Sequence, residues 1–228
     1  MEPAASAAAP ESSAAAVSSS APATTTPITY CVDQAQQDAG GVTIKTSAGV
    51  EFPALILGSG DRGIVLANMG TNDLCDWIAY APELATAGYS VALFNYSGNK
   101  DFEDVLAVAA TLRERGAKKV SLAGASVGAT SVLQAAAVLD PAPAAVVSMS
   151  PQESTETDAA IKAVTMPTLF VAGEADGGFI ADTKALHAAA PAKDKVLKLF
   201  PDNSHGTALL LDAAMKADIY AFIDKHTK

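Results

Sequence analysis

Cysteine, histidine and positive charge are all scarce in this chain. Two cysteines in 228 residues are too few for a disulfide scaffold, and Cys31 and Cys75 are not spaced like a zinc site, so the fold must rest on an apolar core. The 15 lysines and arginines face 25 aspartates and glutamates, leaving a formal net charge of −10. Phosphate binding needs clustered cations, so the acidity argues against a nucleic-acid partner and, on the same ground, against adhesion to anionic lipid. The longest apolar runs, near residues 63–67 and 91–94, fall far short of the ~20 residues that cross a bilayer, so no transmembrane segment is expected. No metal or organic cofactor is called for, and a monomer is expected.

Residues 1–27 are almost entirely Ala, Ser, Thr and Pro, without an aromatic, Leu or Ile side chain. Such a segment cannot offset its ordering entropy and reads as a disordered leader, with one domain over residues 28–228. It has neither the basic start nor the apolar stretch of a secretory signal. A Ser/Thr/Ala/Pro stalk ahead of a compact domain is nevertheless typical of secreted or envelope-tethered proteins. An extracytoplasmic location is the expectation, with its export signal missing from the sequence. A cytoplasmic protein with a solvated tail is the alternative.

Past residue 28, short β-branched or apolar runs alternate with longer amphipathic segments. That alternation predicts an α/β fold with a central, mostly parallel eight-stranded sheet flanked by helices. Strands are expected near residues 42–45, 51–57, 63–67, 91–94, 120–123, 145–149, 168–172 and 196–200. One helix should start on Asp76 as N-cap and stop at Gly88. Another carries Phe102, Val105, Leu106, Ala109 and Leu112 on one stripe and ends before Gly116. Further helices are expected over 127–139, 181–190 and 207–224, with a short one near 158–164.

The stretch Gly124-Ala-Ser126-Val-Gly128 carries the most chemical information. It joins an apolar strand directly to an apolar helix. A serine on that tight turn is lifted above the sheet, and the glycines two residues either side keep Cβ atoms out of a crowded bend. The following helix turns its positive end, with free backbone N–H groups, toward any oxyanion formed there.

A serine hydroxyl attacks poorly without a base, and the chain has 3 histidines. His226 lies in a charged C-terminal end and His187 inside a helical run, so both read as surface residues. His205 sits in the polar turn Pro201-Asp-Asn-Ser-His205-Gly206 after the last strand, where a loop can bring an imidazole over the ligand crevice of an α/β sheet. The carboxylate that orients it is best sought in Gly173-Glu-Ala-Asp176-Gly-Gly, just past the preceding strand. Asp176 leads, Glu174 is its close rival, and Asp202 remains open although it shares the turn of His205.

The order Ser126, Asp176, His205 resembles the α/β-hydrolase superfamily, in which nucleophile, acid and base follow successive strands in that sequence. The likeness covers nearly all of residues 42–227 and is greatest to small bacterial esterases and dienelactone-hydrolase-like proteins. It implies a serine hydrolase that cleaves carboxylic esters or related acyl bonds of small substrates through an acyl-enzyme; a peptidase, amidase or acyltransferase on the same triad, or a non-catalytic binding or envelope module of the same fold, is the alternative. By the same resemblance one oxyanion donor is the backbone N–H of Val127. The other comes from Ala67-Asn68-Met69-Gly70-Thr71-Asn72-Asp73, where Met69 or Gly70 is the expected donor and Asn68 stands where the family often has His. Asn68, Tyr96, Phe179 and Ile180 are expected around the substrate. Residues 150–167 leave no room for a helical lid, so the crevice should be open and suit small or projecting acyl groups. In an oxidising compartment, Cys31 and Cys75 are expected to pair.

Overall fold

A computed structural model describes residues 29–70 and 73–228; the leader reading for residues 1–27, together with Thr71 and Asn72, lies outside the described residues. The eight strands are β1 (Gly41–Lys45), β2 (Glu51–Leu57), β3 (Arg62–Ala67), β4 (Tyr89–Phe94), β5 (Lys119–Ala125), β6 (Val146–Met149), β7 (Thr168–Gly173) and β8 (Lys195–Phe200). They form one sheet in the order β1-β2-β4-β3-β5-β6-β7-β8. The β1–β2 and β2–β4 pairs are antiparallel and all others parallel. This is the α/β-hydrolase fold, and no lid domain stands among the described residues.

The inner strands read as near-continuous apolar runs because helices cover both faces of the sheet, whereas the edge strands β1 and β8 are mostly half-buried and carry lysines. Side chains alternate across it: Val65 and Ala67 of β3 point into one core with Phe94 and Phe170, whereas Ile64 and Leu66 point into the other with Leu93 and Trp77. The first core is closed by α3 (Asp101–Glu114) and α4 (Val127–Val138), and α6 (Phe179–Ala189) adds Leu186. The second is closed by α2 (Ala81–Thr86) and α7 (Ala213–Thr227), through Leu84, Ile219, Phe222 and Ile223.

One helix is unexpected, and several helix boundaries differ from the sequence reading. A helix α1 (Gln34–Gly40) has no apolar stripe and stands on a capping box between Asp33 and Gln36. The helix expected from Asp76 begins only at Ala81, because Asp73 caps a short 3₁₀ turn at Leu74–Asp76 and the Asp76 carboxylate accepts the Met69 N–H instead. The C-terminal run divides into a 3₁₀ segment, Gly206–Leu211, and α7, whose first turn is capped by the Asp212 side chain on the Met215 N–H. The short helix expected near 158–164 begins three residues earlier, as α5 (Thr155–Ala160), and continues in a 3₁₀ turn at Ile161–Ala163, with the Ser154 side chain capping the Thr157 N–H.

The chain leaves β3 toward β4 on one side of the sheet and returns to β5 on the other. The carboxyl ends of β3 and β5, where Ala67 is paired with Gly124, therefore form the topological switch point at which such sheets bind ligands.

Candidate active site

β5 runs into α4 through Ser126, whose φ of 54° is one of only two positive values among the described non-glycine residues. The flanking glycines make the turn possible. A Cβ on Gly124 would lie 2.1 Å from the Gly128 carbonyl oxygen, and one on Gly128 would lie 2.3 Å from that of Ala67 and 2.5 Å from that of Asn68. The Ser126 N–H donates to Met149 O at 2.8 Å, which fixes the turn to the end of β6. Ser126 is half-buried.

Asp176 lies past β7 and His205 past β8. His205 Nδ1 is 3.0 Å from Asp176 Oδ1 and 3.1 Å from Oδ2. Asp176 is buried, whereas the other carboxylates in question take different places. Glu174 is exposed, and Asp202 accepts the N–H and hydroxyl of Ser204, ordering its own turn. The Phe179 ring lies 4.3 Å from the imidazole, and Ile180 follows it, half-buried, in the first turn of α6. The turn bearing His205 is seated beside the serine: a Cβ on Gly206 would come within 3.4 Å of Ala125 Cβ. The Ser126 hydroxyl itself makes no hydrogen bond among the described residues, and catalytic hydrogen bonds are commonly long until substrate arrives.

The loop after β3 corrects two expectations. The Met69 N–H donates to Asp76 Oδ2 at 2.9 Å and is thereby committed within the protein, not free for an oxyanion. Gly70 is exposed and faces Val127, its Cβ position 3.6 Å from Val127 Cγ2. Asn68 does not face substrate: it is fully buried, and its side chain donates to the Phe94 carbonyl, bracing the loop against β4. Tyr96 likewise belongs to the core, with its ring edge-on to Phe94 and its hydroxyl donating to Asn68 O at 3.2 Å. Burial, and next the charge of Asp101, pushes that hydroxyl far above its ordinary pKa, so it stays protonated.

A groove of about 610 Å³ opens beside Val127, between α4, the start of α3 and the segment after β6; Phe102, Thr130, Gln134, Gln152 and Glu156 line it. A second, largely apolar hollow lies further along α4 and shares Phe102, Gln134 and Glu156 with it. Both are open: Val127 is exposed and Val138, at the far end, is 63% exposed.

His187 and His226 are half-buried rather than on the surface, packed on Phe170 and Phe222 respectively. Cys31 and Cys75 are joined in a disulfide with their Cα atoms 5.8 Å apart. Asp73 approaches both sulfurs, but a disulfide offers no thiolate to a metal.

A profile of the Dienelactone hydrolase family matches residues 80–221, more than half of the chain. The chain belongs to the dienelactone hydrolase family. Solved structures of similar fold include an esterase of Pyrococcus furiosus, 12% identical with a TM-score of 0.69, over 82% of this chain and 91% of that one. The esterase domain of a Rhodothermus marinus protein is 18% identical with a TM-score of 0.68, over 82% and 98% of the two chains. A dienelactone hydrolase of Anabaena variabilis is 19% identical with a TM-score of 0.66, over 81% and 94%. No curated protein matches by sequence. Family membership makes a hydrolase of this chain, and no helix among the described residues is long and apolar enough to cross a membrane.

Proposed function

We propose that this member of the dienelactone hydrolase family is a serine hydrolase that cleaves carboxylic esters of small substrates through an acyl-enzyme. The observation that carries the reading is the buried Asp176 carboxylate on His205 Nδ1, at the same sheet edge as the strained Ser126 turn. Asp176 holds the imidazole with its proton on Nδ1, leaving Nε2 to take the Ser126 proton as Oγ attacks the ester carbonyl. The Val127 and Gly70 amides receive the oxyanion. His205 then gives its proton to the leaving alcohol. A water, deprotonated in turn by His205, releases the acid and restores Ser126. The groove beside Val127 takes the non-reacting part of the substrate.

The location we propose is outside the cytoplasm, and the Cys31–Cys75 bridge supports it, since disulfides persist in oxidising compartments.

A fluorophosphonate probe tests the chemistry. Labelling and p-nitrophenyl acetate hydrolysis that both disappear in Ser126→Ala are expected. Folded wild-type protein that takes no label would instead make the fold a binding module.

A further inference from the structure

The second non-glycine residue of positive φ is Ser150, at 55°. It follows β6 directly, is fully buried, and has no role in the steps above. Its N–H donates to Val171 O at 2.8 Å, prolonging the β6–β7 ladder by one rung. That anchoring, together with the unusual backbone angle, aims the hydroxyl across the sheet edge. Ser150 Oγ donates to Asp176 Oδ2 at 2.6 Å and accepts the Gly206 N–H at 3.1 Å.

We propose that Ser150 is a positioning residue for the catalytic pair, a role that rests on the Ser126–His205–Asp176 reading. One hydroxyl joins three loops that follow three different strands: its own after β6, that of Asp176 after β7, and that of His205–Gly206 after β8. The donated bond fixes the rotation of the carboxylate, so that both of its oxygens face Nδ1. The accepted bond holds the backbone next to His205 at the height of that carboxylate. A short hydrogen bond to a buried carboxylate is of the stronger kind, and its loss takes one partner from Oδ2. A serine kept in a left-handed conformation, where glycine is unstrained, indicates that the side chain outweighs the backbone cost.

Two substitutions separate hydroxyl from backbone. Ser150→Ala keeps the strained φ and removes the hydroxyl; Ser150→Gly removes the hydroxyl and relieves the strain. With short p-nitrophenyl esters, both should lower kcat roughly 10- to 100-fold, the size expected for one charge-assisted hydrogen bond, with KM little changed because Ser150 does not touch substrate. The downfield Nδ1–H signal of His205 in the wild-type NMR spectrum should broaden through exchange in both variants. Wild-type kcat in Ser150→Gly would show that only the backbone conformation matters and would overturn the proposal, as would an unchanged Nδ1–H signal in either variant. If the wild-type protein hydrolyses no ester and takes no fluorophosphonate, the catalytic reading fails. The proton signal then still decides whether Ser150 holds Asp176 on His205.

Discussion

Gly206 is seated on Met69: with φ of 57°, it passes so close that a Cβ there would lie 2.5 Å from Met69 Sδ. The turn that presents His205 thus rests on the loop after β3 that faces Val127. The same packing is seen one residue on, where the Thr207 hydroxyl lies 3.7 Å from Met69 Sδ. Gly206→Ala should therefore act twice. The left-handed backbone costs about 1 kcal/mol for a residue with a Cβ, and Met69 must move aside, shifting the histidine turn against the serine. Thermal unfolding should show the modest stability loss, and ester hydrolysis a larger one, about tenfold or more in kcat/KM, since small misplacements of catalytic groups are costly. Unaltered kinetics would mean that the turn tolerates displacement and that the seating on Met69 is incidental.

Asp176→Asn keeps the size of the side chain but can no longer favour the productive tautomer of His205. In serine hydrolases that change lowers kcat by about 10⁴ without disturbing geometry. The same scale is expected here, measured with p-nitrophenyl acetate and with circular dichroism to confirm folding. A loss of less than about tenfold would remove Asp176 from the catalytic role.

Strands were the most legible part of this fold, because a sheet covered on both faces draws on short runs rich in apolar and β-branched residues: β2 falls on 51–57 and the other seven lie within two residues of expectation at each end. The places of Ser126, Asp176 and His205 were also legible, since each follows the strand expected to precede it, β5, β7 and β8 in turn. What escaped depends on contacts between distant segments. Asp76 resembled a helix cap in sequence, but its carboxylate is taken by the Met69 amide. Tyr96 and Asn68 sat in loops near the switch point, and both turn inward because the Asn68 carbonyl and the Phe94 carbonyl need donors. Ser150 bore no motif. The available signal was its place directly after β6, level with the strand ends that carry Ser126 and Asp176.

The open groove along α4 makes a quantitative statement about substrate length. A methylene buried completely contributes about 0.8 kcal/mol, close to fourfold in kcat/KM. Beside the exposed Val127 and Val138, an added methylene keeps much of its contact with water. From acetyl to octanoyl p-nitrophenyl esters, kcat/KM should change by well under fourfold per carbon. A steep, sustained rise with chain length would require an enclosed acyl channel and would contradict the open groove.

Reducing the Cys31–Cys75 bridge should loosen the same end of the molecule. The bridge spans 44 residues and ties the start of the domain to the 3₁₀ turn beside the loop after β3. On the chain-entropy account it contributes up to about 4 kcal/mol, and for a domain of this size that is a melting shift of roughly 10 °C. Scanning calorimetry of the Cys31→Ser, Cys75→Ser double variant measures it. Mass spectrometry after alkylation of air-prepared protein provides the control: two alkylated thiols without reductant would show that the bridge does not form.

Stability should also fall below neutral pH, for a reason remote from the site. Burial, assisted by Lys225, holds the His226 pKa below its ordinary value against the opposing pull of Asp194, and burial with Lys195 does the same at His187. A histidine whose folded pKa is lowered binds fewer protons folded than unfolded. Its contribution is therefore complete above the unfolded value near ~6.5 and is lost as the pH falls through it toward the folded one. Asp194, lowered first by its hydrogen bond from Lys225, and Asp224, lowered first by Lys228, lose their contributions only at carboxylate pH. Asp101 and Asp104, raised by burial, carry the opposite sign, destabilising the fold as they ionise with rising pH. The difference between wild type and a single variant isolates the imidazole. His226→Gln should flatten the decline in melting temperature between about pH 6.5 and 5 while leaving ester hydrolysis at neutral pH unchanged, because α7 meets Asp194 at the amino end of β8, the opposite edge of the sheet from Ser126. An undiminished slope in that variant would assign the acid sensitivity to other groups.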